Sequence, residues 1–334
     1  MLLTFISFLF ISFSFNVLFY KIFKKIEKLT DSPLEKSHKI HNFKAIRCGG
    51  MAIFLTVLIS ILFINAEYRK FIVISSIAFL IGTLEDIYKN ISPKTRFIIL
   101  TITSFLMVLF EPKIILTNFE IINLPYWFAL LFIIFAITGF SNSINIIDGI
   151  NGLSSGIIIN GLLFISFIAY INSDYETLKF TIILLSSLLG FFIINFFTGK
   201  IFLGDGGAYF IGIIVSSICL YISNNYLKIS PWFFLVVFGY PVTDTLFSIF
   251  RRYIKNKDIL RADILHMHSL INKRIFKSHI KTSFLIIITS FLFSIFAIKF
   301  KTNTLALILL YVTYVIVYVT SYLMIIKKYK PVKS

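Results

Sequence analysis

The chain has 334 residues, 58% of them hydrophobic and only 14% charged, with a net charge of +17. A soluble domain runs nearer half apolar and a quarter charged, so that class is excluded. The two cysteines, Cys48 and Cys219, are far apart and in no CxxC pattern, which excludes a disulfide framework and a cysteine zinc site.

Repeated apolar runs of membrane-spanning length, carrying 40 Phe in all, predict a polytopic all-α membrane protein. The runs do not alternate polar and apolar residues, as β-barrel strands do. The first span covers residues 2–20. No Lys or Arg precedes it, and Lys21, Lys24, Lys25 and Lys28 follow at once. A cleaved signal peptide carries its charge on the other side, so this helix is retained with its N-terminus outside. A long basic loop, 21–48, leads to Gly49-Gly50. Further spans run roughly over 51–65, 71–84, 97–110, 126–141, 154–171, 179–197, 208–222, 231–250, 283–299 and 303–326. That makes about eleven helices in one domain, 1–334, with the C-terminus cytoplasmic. On this topology inside segments hold 25 of the 32 Lys and Arg, as the positive-inside rule requires. The outer stretch 111–125 is β-leaning and predicts a short hairpin.

The polar residues gather on the cytoplasmic face. Glu85-Asp86 ends the third span. The run from Asn142 to Gly156 holds Asn142, Asn145, Asp148 and Asn151 at three-residue spacing, with Gly149, Gly152 and Gly156 among them. Asn142 and Asn145 share a helix face, and Asp148 follows one turn on. So dense a polar array at a membrane helix end is costly unless it binds something. Asp205 sits among Gly204, Gly206 and Gly207, whose backbone can approach a phosphate closely. Asp244 lies three residues after Pro241; the residues leave open whether it satisfies freed backbone donors or acts in catalysis. His266 and His268 lie in the last large inner loop. A zinc site is disfavoured there for want of a third ligand. Carboxylate and amide oxygens at a membrane surface suit Mg²⁺ or Mn²⁺, which normally serve phosphates. Lys94, Arg96, Lys200 and the basic 251–282 loop can neutralise more phosphate charge. Together these point to phosphoryl transfer at the cytoplasmic surface, with one substrate held in lipid. A transporter is the reading from another class, but transporters place such residues near the midplane and often carry repeats. A structural membrane protein with degenerate sites is the third.

Six motifs then resemble, in order, the polyprenyl-phosphate N-acetylhexosamine-1-phosphate transferases, the MraY/WecA-type glycosyltransferase 4 family. They are Arg47-Cys-Gly-Gly-Met-Ala, Leu84-Glu-Asp-Ile with Ser92-Pro-Lys-Thr-Arg96, Asn142 to Leu153, Lys200-Ile-Phe-Leu-Gly-Asp-Gly-Gly, Pro241-Val-Thr-Asp-Thr, and Ala262 to His268. The resemblance implies transfer of a HexNAc-1-phosphate, GlcNAc first, from a UDP-sugar to undecaprenyl phosphate in the cell (inner) membrane. UMP would be released, with Mg²⁺ as cofactor. It implies Asp205 and Asn145 at the metal, Glu85 and Asp86 at the lipid phosphate, and Lys94 at the pyrophosphate. Asp148 joins this catalytic set. Asn151 and Phe202 fall to the uridine, Asn142 and Asn145 to substrate binding, and His266 and His268 to phosphate or sugar. Membrane lipid is a partner, nucleic acid is not, and a homodimer is left open. Within the family the alternative is a phospho-MurNAc-pentapeptide transferase. The chain departs from the pattern at Glu85, where Asp is usual, at Asn151 in place of a second Asp, and at Ser269 in place of another His.

Overall fold

The structure, a computed structural model, describes residues 1–26, 29–31, 45–226, 228–256, 258 and 263–328. Ala262, which opens the histidine-loop motif, and most of the basic loop 21–48 lie outside the described residues. Thirteen helices follow in chain order: α1 Leu2–Phe23, α2 Gly49–Ile59, α3 Ala66–Tyr88, α4 Pro93–Phe110, α5 Tyr126–Ile147, α6 Leu153–Ile171, α7 Tyr175–Thr198, α8 Gly204–Asn225, α9 Pro231–Val237, α10 Gly239–Ile254, α11 Met267–Ile271, α12 His279–Lys299 and α13 Thr304–Lys328.

Local signals set the helix ends. Ser92 accepts from the Thr95 N–H at 3.1 Å ahead of Pro93, so α4 starts there. Asp174 caps α7 through the Thr177 N–H at 2.9 Å, and Gly199 closes the helix at φ 62°. The outer stretch forms a 3₁₀ turn, Pro112–Ile114, and a single bridge between Asn118 and Asn123 rather than a full hairpin.

Among the described residues nine helices are long and apolar enough to cross a membrane, or ten when α9 and α10 count as one bent span. The expected span 231–250 is thus broken, with a 79° bend between α9 and α10. Pro241 lies two residues past the break and removes a backbone donor there. The expected span 51–65 is α2 extended by a 3₁₀ turn to Leu62. At 1.5 Å per residue its helical run is shorter than a roughly 30 Å hydrocarbon layer.

The molecule is built around α8, the most enclosed of these spans, with 78% of its apolar stretch buried against 17% for α1 and 22% for α13. It packs on α2, α3 and α5. Small residues let the backbones meet. A Cβ on Gly207 would lie 2.5 Å from the Gly50 Cα, and one on Gly206 would strike Thr83 Oγ1. These glycines were expected to make room for a phosphate. The room is instead taken by neighbouring helices, which seat the start of α8 between α2 and α3.

Candidate active site

Carboxylates from two other helices meet the start of α8. Its first N–H groups have no partner within the helix, and the helix dipole favours negative charge there. Asp86, in the last turn of α3, accepts from the Asp205 N–H at 3.1 Å and the Gly206 N–H at 3.2 Å. Asp148, just past α5, accepts from the Gly204 N–H at 3.2 Å and the Ser154 hydroxyl at 2.5 Å. Gly204 adopts φ 75°, and a Cβ there would lie 2.5 Å from Asp86 Oδ2. Only glycine fits that turn. Burial pushes the Asp148 carboxyl up to about 7, against the pull of Ser154 and the Gly204 N–H.

Asp205, held in this way, faces two guanidinium groups. Arg96 of α4 pairs with Oδ2, and Arg47 stands 3.8 Å from Oδ1 while donating to Asp86 Oδ1 at 3.0 Å. Tyr209 bridges outward: its hydroxyl donates to Asp205 at 3.5 Å and accepts from Asn145 Nδ2 at 3.0 Å. Asp86, Asp148, Asp205 and Asn145 therefore converge. Glu85 does not join them. One residue round the helix from Asp86, it accepts from the Ile91 N–H at 2.8 Å and holds the turn after α3. Lys94 is exposed and makes no ion pair among the described residues; Arg96, two residues on, is the cation that reaches Asp205.

A second cluster lies beside the first. Asp244 of α10 is fully buried and accepts from His266 Nδ1 at 2.7 Å, the Met267 N–H at 3.0 Å and the Tyr318 hydroxyl at 2.7 Å. Burial works against a charge on His266, but Asp244 outweighs it and raises the pKa above the ordinary value. His268 stacks on His266 with ring centres 5.4 Å apart. Burial lowers its pKa to about 4, so it is neutral at pH 7. Tyr240 accepts from the His268 N–H at 3.2 Å and bonds Nδ1 at 3.0 Å, which turns Nε2 away from Tyr240. That nitrogen faces Gly149, the residue after Asp148; a Cβ there would stand 3.8 Å away. The two clusters are one chain of neighbours, from Asp86 through Gly204 and Asp148 to His268 and Asp244.

The remaining candidates flank this chain. Asn151 is buried; its Oδ1 lies 3.2 Å from His279 Nδ1, and its carbonyl accepts from Ser283 at 2.6 Å. Phe202 is buried, and its backbone is held between the Ile46 carbonyl and the Gly49 N–H, at 2.8 and 2.9 Å. Asn142, half-buried one turn before Asn145, makes no side-chain hydrogen bond among the described residues. Of the three glycines in this loop only Gly149 borders the site; Gly152 and Gly156 pack on Phe196 and Ile287. Sequence reasoning missed the clamp of Arg47 and Arg96 on Asp205 and did not find His279. Arg96, four residues after Ser92 on a capped helix, carried the one usable signal.

Among the described residues no three His, Cys, Asp or Glu side chains form a complete metal cage. The donors that do meet are oxygens, a set that suits a hard cation taking its other positions from water and phosphate. Two arginines already sit where positive charge is called for.

A family model described as Glycosyl transferase family 4 matches residues 68–223, which include Asp86, Asp148 and Asp205. The chain is 30% identical over 281 residues to a "Probable undecaprenyl-phosphate N-acetylglucosaminyl 1-phosphate transferase" of Bacillus subtilis (strain 168), covering 80% of this chain and 77% of that protein. It is 27% identical over 282 residues to an "Undecaprenyl-phosphate alpha-N-acetylglucosaminyl 1-phosphate transferase" of Thermotoga maritima, covering 84% of each. It is also 30% identical over 271 residues to a "Phospho-N-acetylmuramoyl-pentapeptide-transferase" of Clostridium botulinum (strain Eklund 17B / Type B), covering 73% of this chain and 80% of that protein.

Proposed function

We propose, from the premise that this multi-pass membrane protein belongs to glycosyl transferase family 4, that it moves a HexNAc-1-phosphate, GlcNAc-1-phosphate first, from a UDP-sugar to undecaprenyl phosphate at the cytoplasmic face of the cell membrane. The observation that carries the reading is the seat of Asp205: a carboxylate fixed by Asp86 and Asp148 and flanked by Arg47 and Arg96. It is built for a highly charged ligand at a membrane helix end. The basic segments collected on one side of the membrane support the same face.

The acceptor phosphate is largely dianionic at pH 7, since its second pKa is about 6. One of its oxygens attacks the β-phosphorus in line. The new P–O bond forms as the bond to the bridging oxygen breaks, and UMP leaves with the electron pair. Two anions must meet, so charge neutralisation is the main task. Arg47 and Arg96 carry it among the side chains, with Lys94 beside them. A bound Mg²⁺ or Mn²⁺, held by Asp205 with Asn145, would stabilise charge on the pyrophosphate. Both Asp86 oxygens are engaged by α8 N–H groups and Arg47. That favours a role in positioning Asp205 over a role as nucleophile. His268 Nε2 and His266 Nε2 offer adjacent polar atoms to a phosphate or sugar. Asn151 and Phe202 serve the nucleotide side. A groove of about 140 Å³ lies between α6 and α12; Gly156, Ile159, Phe284 and Phe291 help to line it, and an apolar acceptor chain fits such a surface.

The pentapeptide transferase remains the second reading, because a relative of that name matches over 80% of its own length. One experiment separates the two. Purified protein, undecaprenyl phosphate and Mg²⁺ are offered UDP-GlcNAc, UDP-GalNAc and UDP-MurNAc-pentapeptide in turn. A lipid product of HexNAc-pyrophosphate mass with UMP release supports the first reading. Product from the pentapeptide donor alone supports the second, and no lipid product from any donor sinks both.

A further inference from the structure

The last helix, α13, is a peripheral span that brings no residue to Asp205. It nevertheless carries a stripe of tyrosines, Tyr311, Tyr314, Tyr318 and Tyr322, three or four residues apart and so on one face. Three of the four hydroxyls run along α10. Tyr311 meets Thr243 Oγ1 at 3.2 Å, Tyr318 donates to Asp244 Oδ1 at 2.7 Å, and Tyr322 accepts from Arg251. Arg251 in turn donates to the Leu265 carbonyl at 2.6 Å and pairs with Asp263. The segment that leads into His266 is thus pinned by α10 side chains whose far sides rest on α13.

We propose that Tyr318 is a positioning residue for the transfer reaction: acting through Asp244, it fixes the ring plane and tautomer of His266. The catalytic part of this rests on the function proposed above; the relay itself does not. A fully buried carboxylate must have its lone pairs satisfied. Asp244 Oδ2 takes the His266 Nδ1–H, which turns Nε2 outward, while Oδ1 takes the Met267 N–H and the Tyr318 O–H. Without the phenol, Oδ1 keeps one donor. More of the negative charge then falls to Oδ2, and the cationic form of His266 gains.

The other charges facing His266 are few. Arg251 of α10 is paired with Asp263, which also lies 3.4 Å from Arg252. His268 of α11 is neutral. Tyr240 of α10 bonds His268, and Tyr322 of α13 bonds Arg251. Among the described residues Asp244 is the one anion bonded to the ring, with Asp263 acting on it from farther off.

The test uses the full chain in micelles without substrate. The chain has five histidines, so ¹³Cε1-histidine NMR gives few signals, and His266→Gln identifies the one that matters. Tyr318→Phe should move the His266 titration midpoint up by about half a unit or more. Tyr311→Phe, which removes a hydroxyl from the same stripe without reaching Asp244, should leave it in place. Asp244→Asn works from the other side and should lower the midpoint by about one unit or more, which keeps the idea testable should Tyr318→Phe fold poorly. In the transfer assay Tyr318→Phe should lose roughly tenfold in kcat with little change in donor KM, and Tyr311→Phe should not. An unmoved midpoint in Tyr318→Phe or in Asp244→Asn, or an equal shift in Tyr311→Phe, overturns the relay. A moved midpoint with unchanged kcat overturns its part in transfer. The titration needs no donor, so a protein that transferred nothing would refute the reaction while the relay was still decided.

Discussion

The two ends of the helix bundle handle their acids in opposite ways. At the far end Glu67, Glu111 and Asp174 each have their own local partner. Glu67 pairs with Lys113 and Tyr221, Glu111 with Lys70 at 3.2 Å, and Asp174 caps its own helix and takes the Tyr226 hydroxyl at 2.5 Å. At the site end the acids are shared. Asp86, Asp148 and Asp205 come from three parts of the chain, meet one helix terminus and divide two arginines among them. Simple pairs tie loops down at little cost. A convergent, buried set costs far more in desolvation, a cost that a binding or catalytic site carries and a simple surface pair does not. That contrast separates the functional end from the merely stapled one.

The largest expected effect tests the contrast at its centre. Asp205→Asn should lower transfer by about a thousandfold or more while the protein still folds, because the seat built by Asp86 and Asp148 binds backbone N–H groups and not the Asp205 side chain. Turnover near normal, measured with purified protein, undecaprenyl phosphate and Mg²⁺, would remove Asp205 from the mechanism. Gly207→Ala comes next. Its Cβ would lie against the Gly50 backbone, which has no side chain to swing aside. A cost of about 1–3 kcal/mol is expected, read as a lower thermal midpoint, with a lower rate per folded molecule as α8 shifts. An unchanged midpoint would mean that α2 and α8 are not in backbone contact.

Much of this was legible in the chain itself. Long apolar runs marked the helices, and three-residue spacing put Asn145 and Asp148 one turn apart at the end of α5. Two things were hidden. The break between α9 and α10 is a 79° bend at Phe238, and a proline three residues on does not by itself give it. The glycines of the Asp205 motif read equally well as a phosphate cradle or as a helix contact, and only the neighbours at Gly50 and Thr83 decide for contact. Glu85 and Asp86 look equivalent in sequence, yet a 100° turn of helix sends one to a loop and the other to α8.

Asp148 provides a test with two signs. Its carboxyl, pushed up to about 7 by burial, must be ionised to hold the Gly204 N–H fully. Transfer should therefore fall as pH drops through about 7. Folding should go the other way. A carboxyl raised above its ordinary value adds stability that is full below about pH 4 and is lost as pH rises through about 7. Asp148→Asn should abolish the limb near pH 7 and cost roughly tenfold at pH 8, since an amide offers one acceptor oxygen where the carboxylate offers two. A wild-type limb that survives in that variant assigns it to another group.

The smallest expected effect lies at the far end, on the helix that also carries Asp86. Glu67 is in the first turn of α3 and Asp86 in the last, about 28 Å apart at 1.5 Å per residue. The Glu67 and Lys113 side chains are 40% and 51% exposed, so water and salt screen the pair. Glu67→Gln keeps an acceptor for Tyr221 and removes only the charge. It should cost under about 1 kcal/mol, less at high salt, and leave kcat within about twofold. A large loss of transfer without a matching loss of stability would mean that α3 passes a disturbance along its length to Asp86. The two ends would then be a coupled device, and the stapled end would have to be counted as part of the site.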